Sequence, residues 1–247
     1  MTFVGRKNAQ GDGLARFSTT AKTTGIWIGM VLAIDALLLI LFLRWAYVEH
    51  NHMTDSIFYG HSRFSSVDGS LMESWGYIKE ASIICLAVYA FKKTAEFFYA
   101  AYAVLFVAIL ADDSFSLHEA VSGWLSSPSL LGKYSDIPAA FLVSGVPLAL
   151  AAFGFFRLSS GRRMPGFMLL ASFGLMAFFA VVVDNLHELL IGSQHFQTAS
   201  SFVEDGGELV SLTVILAVWR AYMSSIVPQG RVATPHADLA GGYTVSR

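Results

Sequence analysis

Residues 97–119 read FFYAAYAVLFVAILADDSFSLHE, and this stretch decides the fold class. Its uninterrupted apolar part, residues 97–111, is shorter than the roughly 20 residues with which an α-helix crosses a bilayer. A helix that crosses here must therefore extend into Asp112, Asp113 and His118. An ionisable side chain in a membrane costs roughly 2.5 to 3.5 kcal/mol on insertion scales unless it is compensated. The stretch predicts a transmembrane helix whose last turns carry functional polar groups.

The composition of the whole chain supports this class. Apolar residues make up 55% of the chain and charged residues 14%, with a mean hydropathy of +0.56, whereas a soluble domain is about 25% charged. Six apolar stretches are long enough to span a bilayer, at residues 25–47, 72–91, 96–118, 137–157, 166–188 and 203–222. The sequence therefore predicts an all-α integral membrane bundle of six transmembrane helices.

Lysines and arginines collect at alternate ends of these stretches. They precede the first, join the second to the third and the fourth to the fifth, and follow the sixth. The positive-inside rule then places both termini in the cytoplasm, which indicates a bacterial-type inner membrane protein with an uncleaved first helix. The predicted organisation is a cytoplasmic segment 1–24, a transmembrane domain 25–222 and a disordered cytoplasmic tail 223–247, which is rich in Gly, Thr, Ala and Ser.

One triplet occurs twice near the predicted outer side. It stands as Leu-His-Glu at 117–119 and again at 186–188, and each copy is followed by a glycine at the same offset, Gly123 and Gly192. This pattern favours a tandem duplication of helical hairpins, in which helices 3–4 repeat as helices 5–6.

Carboxylates occupy one layer of the predicted bundle. With odd helices running outward and even helices inward, five helices each place an acid in the outer half of the membrane. These acids are Asp35, Glu80, Asp112, Asp184 and Glu208. Helical periodicity places Asp112, Ser116 and Glu119 on one face, and Glu204 with Glu208 on another. The layer predicts a site for a metal or for protons, or a packing network in which acids pair with Lys79 and Arg44.

The ligand types resemble those of four-helix carboxylate proteins that hold two iron or manganese ions. Asp184 and His187 have the i, i+3 spacing of such sites, whereas Asp113 and His118 form a looser pair. Carboxylate and imidazole ligands without thiolate favour iron, manganese or zinc. The predicted metal ligands are Glu80, Asp112, Asp113, His118, Asp184, His187, Glu204 and Glu208, and the candidate general bases are Glu119 and Glu188.

The function that follows is a membrane metalloenzyme that oxidises or hydrolyses a lipid-soluble or periplasmic substrate. One alternative is a transporter or channel for protons or divalent cations that uses the same carboxylates. Another is an accessory subunit of an oligomer or larger membrane complex. The chain has no glycine-rich phosphate loop, no basic stripe with aromatics and no paired CxxC motif, so membrane lipid is an expected partner and nucleic acid is not.

Several residues near the acids have simpler interpretations. Trp75 and Tyr77 fit an aromatic belt at the outer membrane interface. Glu73 fits a helix N-terminus, where negative charge is favoured. Gly206 and Gly207 permit either a break in the last helix or close packing between helices.

Overall fold

The computed structural model describes residues 8–65, 69–126, 139, 141–183 and 194–226. Regular structure in these residues is entirely helical. The α-helices are α1 (Asn8–His50), α2 (Leu71–Thr94), α3 (Phe97–Phe115), α4 (Leu117–Ser126), α5 (Val146–Phe156), α6 (Arg163–Ala177) and α7 (Gln194–Ile226). A π-helical turn, Phe141–Gly145, leads into α5, and another, Phe178–Val183, continues α6. The all-α class is therefore as predicted.

Three helical segments in the described part of the chain are long and apolar enough to cross a membrane: Thr24–His50, Phe97–Phe115 and Ser160–Val181. They make the chain a membrane protein. The helix Phe141–Phe156 is apolar but shorter. The predicted second and sixth spans coincide with α2 and α7, which carry charged residues in their first halves. The sequence predicts six membrane-spanning helices, which is three more than these segments.

Several helix ends differ from the predicted boundaries. Helix α1 begins at Asn8, well before residue 25. Helix α7 runs to Ile226, so residues 223–226, predicted as part of a disordered tail, form its last turn. Helix α3 ends at Phe115, three residues earlier than expected. Hydropathy marks where a chain meets lipid, whereas a helix continues for as long as its backbone hydrogen bonds can form.

An aromatic core joins α3 and α7. Tyr99, Tyr102, Phe106 and Trp219 are all fully buried. The ring of Trp219 lies 5.7 Å from that of Tyr99 and 5.9 Å from that of Tyr102, between ring centroids. The hydroxyl of Tyr102 donates a hydrogen bond of 3.2 Å to the backbone oxygen of Leu169 in α6. Aromatic pairs at such separations add to the free energy of burial, so these rings fix three helices to one another.

Glycines allow the closest contacts between helices. A Cβ on Gly154 of α5 would stand 2.8 Å from the Cα of Phe98 in α3. A Cβ on Gly207 of α7 would stand 2.2 Å from the ring of Phe179, which follows α6. Helix α7 continues through Gly206 and Gly207 without interruption. Of the two interpretations of this glycine pair, close packing is confirmed and a helix break is wrong.

A buried ion pair ties α1, α2 and α7 together. The Nζ of Lys79 lies 2.5 Å from the Oδ1 of Asp35, and both side chains are at most 2% exposed. Lys79 also donates to the backbone oxygen of Leu209, at 2.8 Å, and to the hydroxyl of Thr213, at 2.9 Å. Thr213 donates in turn to the second oxygen of Asp35, at 2.6 Å. The predicted pairing of an acid with Lys79 is thus confirmed for Asp35. Asp35 therefore no longer counts among the free carboxylates of the predicted layer.

Trp75 completes this network. Its Nε1 donates a 2.7 Å hydrogen bond to Asp35, and its ring lies 5.6 Å from the ammonium of Lys79. The polar edge of Trp75 is thus used inside the bundle, and its place in an interfacial belt stays a prediction.

A second ion pair joins two of the basic connections. Arg162, between α5 and α6, lies 2.8 Å from Glu96, between α2 and α3. The hydroxyl of Ser159 donates to the same carboxylate at 2.9 Å. Burial acts to raise the pKa of Glu96, but the hydrogen bonds from Ser159 and Arg162 outweigh it and hold that pKa below its ordinary value. The two connections therefore lie at the same end of the bundle.

We expect Lys79→Met to lower the free energy of unfolding by about 3 to 5 kcal/mol, because it leaves Asp35 charged and buried without its partner. The double variant Asp35→Leu/Lys79→Met removes both charges and should lose much less. Reversible unfolding in mixed micelles with a denaturing detergent measures both, with Lys92→Met, an exposed lysine of the same helix, as control. Equal losses in the single and double variants would contradict the pairing.

Gly154→Ala should destabilise the protein by about 1 to 3 kcal/mol, because its Cβ meets the backbone of α3. The matched control is Gly174→Ala in α6, where a Cβ meets nothing within 4 Å and the residue is exposed. Thermal unfolding compares the two, and a midpoint for Gly154→Ala at or above that of Gly174→Ala would show that α3 and α5 are not in close contact.

Candidate functional site

A cavity of about 270 Å³ opens between α2, α3 and α7. Six carboxyl side chains and one imidazole line it, whereas no lysine or arginine of the described residues does. The acidic lining residues are Glu73 and Glu80 of α2, Asp112 and Asp113 of α3, and Asp205 and Glu208 of α7, and the imidazole is that of His118 in α4. Five predicted ligands on four helices, Glu80, Asp112, Asp113, His118 and Glu208, thus share one cavity.

The wall from α2 starts at the first turn of the helix. Ser70 caps the N-terminus by accepting a hydrogen bond from the backbone N–H of Glu73 at 3.2 Å, and the carboxylate of Glu73 accepts one from Gly69. This arrangement resembles a capping box, except that the carboxylate of Glu73 binds the backbone N–H of the residue before the N-cap. The predicted N-terminal role of Glu73 is confirmed, and the same residue also lines the cavity.

Tyr77 links α2 to α3 at the cavity wall. Its hydroxyl donates to the carboxylate of Glu73 and to the backbone oxygen of Asp113, the latter at 2.8 Å. Glu73, Tyr77 and Glu80 follow one another at i, i+4 and i+7, so they lie on one face of α2. Tyr77 lines the cavity and is therefore a residue of the candidate site that sequence reasoning missed, whereas its place in an aromatic belt stays a prediction.

A break at Ser116 brings the imidazole to the cavity. Ser116 adopts a left-handed conformation, with φ at 45°, between the end of α3 and the start of α4. The chain turns back, and the Oδ1 of Asp112 accepts from the backbone N–H of His118 at 2.7 Å and contacts its Nδ1 at 2.9 Å. The predicted continuous stripe of Asp112, Ser116 and Glu119 is therefore wrong. The partner of His118 is Asp112 and not Asp113.

This contact fixes the imidazole. A carboxylate can only accept hydrogen bonds, so this contact favours a proton on the Nδ1 of His118, and in the neutral ring the Nε2 is then the acceptor or metal-binding atom. His118 is 40% exposed at its side chain and Asp112 is 15% exposed. Histidines that bind metals usually donate their other N–H to a carboxylate in this way. Asp112 thus orients His118, which is a different role from the direct ligand predicted for it.

Glu80 is the most deeply placed acid of the cavity. It is 3% exposed and lines the cavity together with Asp113 of α3. The Oε2 of Glu80 has no hydrogen-bond partner among the described residues. Leaving a buried acceptor without a partner costs about 1 to 3 kcal/mol, so the cavity is built to receive a donor or a cation.

Helix α7 contributes a different pair of acids from the one predicted. Asp205, Glu208, Leu209 and Leu212 line the cavity at i, i+3, i+4 and i+7. Glu204 does not line it, because at 100° per residue it lies about 40° beyond the edge of this stripe. Asp205, like Glu73, was missed as a site residue. Extending the stripe that contains Glu208 by one turn, and the stripe that contains Glu80 by two turns, would have found both.

Other predicted residues are not tested by the structure. Asp184, His187 and Glu188 lie outside the described residues, as does the side chain of Glu119 in α4. Within the described residues, no three His, Cys, Asp or Glu side chains are already grouped as metal ligands. The ligand roles of Asp184 and His187, the base roles of Glu119 and Glu188, and the hairpin duplication stay predictions.

A family model described as a domain of unknown function, DUF8692, matches residues 30–226. The chain belongs to the DUF8692 family. The DUF8692 region begins within α1 and ends with the last residue of α7, so it contains both the Asp35–Lys79 pair and every cavity residue. No curated protein and no solved structure matches the chain.

We expect the imidazole of His118 to be neutral at Nε2 and protonated at Nδ1 in ¹⁵N NMR spectra of selectively labelled protein. Asp112→Ala should abolish this tautomer preference, because it removes the acceptor at Nδ1. Asp112→Asn is the matched control, since its amide oxygen can still accept. Unchanged ¹⁵N shifts in Asp112→Ala would show that Asp112 does not orient the ring.

Proposed function

We propose that this DUF8692 protein binds a divalent metal ion, namely iron, manganese or zinc, in the acidic cavity. The observation that carries the proposal is Glu80, which lines a cavity with five other carboxyl residues and whose buried Oε2 has no partner in the described part of the chain. A divalent cation would satisfy this atom and reduce the repulsion between neighbouring carboxylates.

Glu80, Asp113, Glu208 and the Nε2 of His118 are the donors that we assign to the metal. They come from four helices and combine carboxylate oxygen with imidazole nitrogen, as in carboxylate-bridged sites of helical bundles. Asp184 and His187, predicted as a further ligand pair, complete the proposed set. Asp112 orients His118 without binding the metal itself, and Asp205 and Glu73 supply negative charge at the wall of the cavity.

We propose further that the metal serves an oxidation or a hydrolysis of a lipid-soluble or periplasmic substrate. A bound metal polarises a substrate oxygen or lowers the pKa of a bound water. Glu119 or Glu188 would act as general base. The contact between Asp112 and His118 supports catalysis over mere storage of a cation, because an oriented imidazole beside a metal can also move a proton.

The membrane arrangement that accompanies this proposal has six spans with both termini in the cytoplasm of a bacterial-type cell. The pairing of Glu96 with Arg162 supports it, since it brings two of the basic connections to one end. In this arrangement that end faces inward, and the cavity lies toward the outer face.

A second candidate function is transport of protons or divalent cations across the membrane. The grouping of Glu80, Asp113 and Glu208 around one cavity favours it, because neighbouring carboxyl groups in a membrane can hold protons as well as cations.

Elemental analysis of detergent-purified protein tests the proposal. The wild type should retain about one metal ion per chain, and Glu80→Gln should weaken metal affinity at least about tenfold, because it removes a ligand charge while keeping the shape of the side chain. Asp55→Asn, an exposed acid of the loop after α1, is the control and should retain the metal.

Absence of metal from the wild type after reconstitution with iron, manganese or zinc would refute metal binding. Proton and cation flux in liposomes would then test the second function with the same variants. Metal bound equally by Glu80→Gln and wild type would instead place the site away from this cavity.

A further inference from the structure

The cavity is larger than a metal ion requires. Its volume of about 270 Å³ is close to the lower end of the roughly 300 to 1,000 Å³ typical of small-molecule sites. A water molecule occupies about 30 Å³ in the liquid, so an ion held by side chains leaves space for several more atoms. Part of the cavity is thus free for an organic group.

Part of the remaining wall is apolar. Met72, Gly76, Leu209 and Leu212 line the cavity together with the acids, and Met72, Leu209 and Leu212 are at most 5% exposed. Met72, Gly76 and Glu80 follow at i, i+4 and i+8, so apolar and acidic residues share one face of α2. A ligand that fills this space contacts carboxylates at one part and hydrocarbon at another.

Gly76 is the residue that keeps the space open. Among the buried glycines of the described chain it is the one at which an added Cβ would meet nothing within 4 Å. Gly154, Gly166 and Gly207 differ, because a Cβ at each would clash with a neighbouring helix or side chain. Glycine weakens a helix relative to alanine, and neither packing nor backbone conformation requires it at position 76. Its effect is to leave room in the cavity.

We propose that the cavity binds a small uncharged organic molecule that has a hydroxyl-type oxygen at one end and a short apolar group at the other. The oxygen reaches the metal, and the apolar group lies against Gly76, Met72 and Leu212. An anionic head is disfavoured because the lining is acidic and no described lysine or arginine lines it. The position of the oxygen rests on the proposed metal function, whereas the position of the apolar group rests on the cavity wall alone.

The test uses Mn²⁺-loaded protein in lipid nanodiscs and the series methanol, ethanol, 1-propanol and 1-butanol as probes. Paramagnetic relaxation of the alkanol protons reports binding beside the metal. Affinity should rise about fourfold with each methylene that enters the apolar part of the cavity. Gly76→Leu, which fills that part, should abolish the rise, and its Mn²⁺ affinity is measured separately by titration. Gly76→Ala should give an intermediate effect and serves if the leucine variant does not fold.

Gly174→Leu is the matched control, since it places the same side chain on an exposed glycine with open space in α6. It should leave both Mn²⁺ and alkanol binding unchanged. A chain-length dependence that persists in Gly76→Leu and Gly76→Ala would overturn the inference while leaving the metal function intact.

Failure of the wild type to take up Mn²⁺, iron or zinc would refute the proposed metal function, and the apolar part of the inference is then tested separately. Saturation transfer from the protein to 1-butanol should be weaker in Gly76→Leu than in wild type or Gly174→Leu. Equal transfer in all three would overturn the inference.

Discussion

The structure depends on how charge is compensated in an environment without water. Lys79 and Glu80 are neighbours on α2, about 100° apart around the helix, and their side chains have different surroundings. Lys79 is held by Asp35 from α1 and by Thr213 from α7, so its charge joins three helices. Glu80 instead turns to the cavity, where one of its oxygens has no described partner. The ion pair of Lys79 thus holds together the helices whose packing leaves Glu80 in the cavity wall.

The closely packed aromatic core and the polar site lie in different parts of the bundle. The rings of Tyr99, Tyr102 and Trp219 fill the region between α3 and α7, and Gly154 lets α5 lie directly against α3. The acids gather where α3 ends and the chain reverses at Ser116. A polar site needs side chains whose positions are held by packing, and here the same helices provide both. The strained turn sits at the site itself, where such conformations are often found.

Electrostatics limits what the cavity can contain. Six carboxyl groups around one cavity repel one another unless protons or cations lie between them. The imidazole of His118 contacts Asp112 through its Nδ1, which fixes the orientation of the ring. All of these residues lie within the DUF8692 domain.

The sequence by itself determined that the chain is helical, that it belongs in a membrane and that Glu80, Asp112, Asp113, His118 and Glu208 lie near one another. These properties follow from the length of apolar runs, from the need of a backbone in lipid to satisfy its own hydrogen bonds and from the alternation of helix direction. They are properties of each segment, so no knowledge of neighbouring helices is needed.

Only the tertiary structure decided which polar residue meets which. Periodicity assigns a residue to a face of its helix, but the rotation of that helix and the identity of its neighbours come from packing. For this reason Asp35 could not be assigned to Lys79, or Asp205 preferred to Glu204, in advance. The pairing of Asp112 with His118 depends on a positive φ at Ser116, which no helical pattern can express, because the pattern assumes that the helix continues.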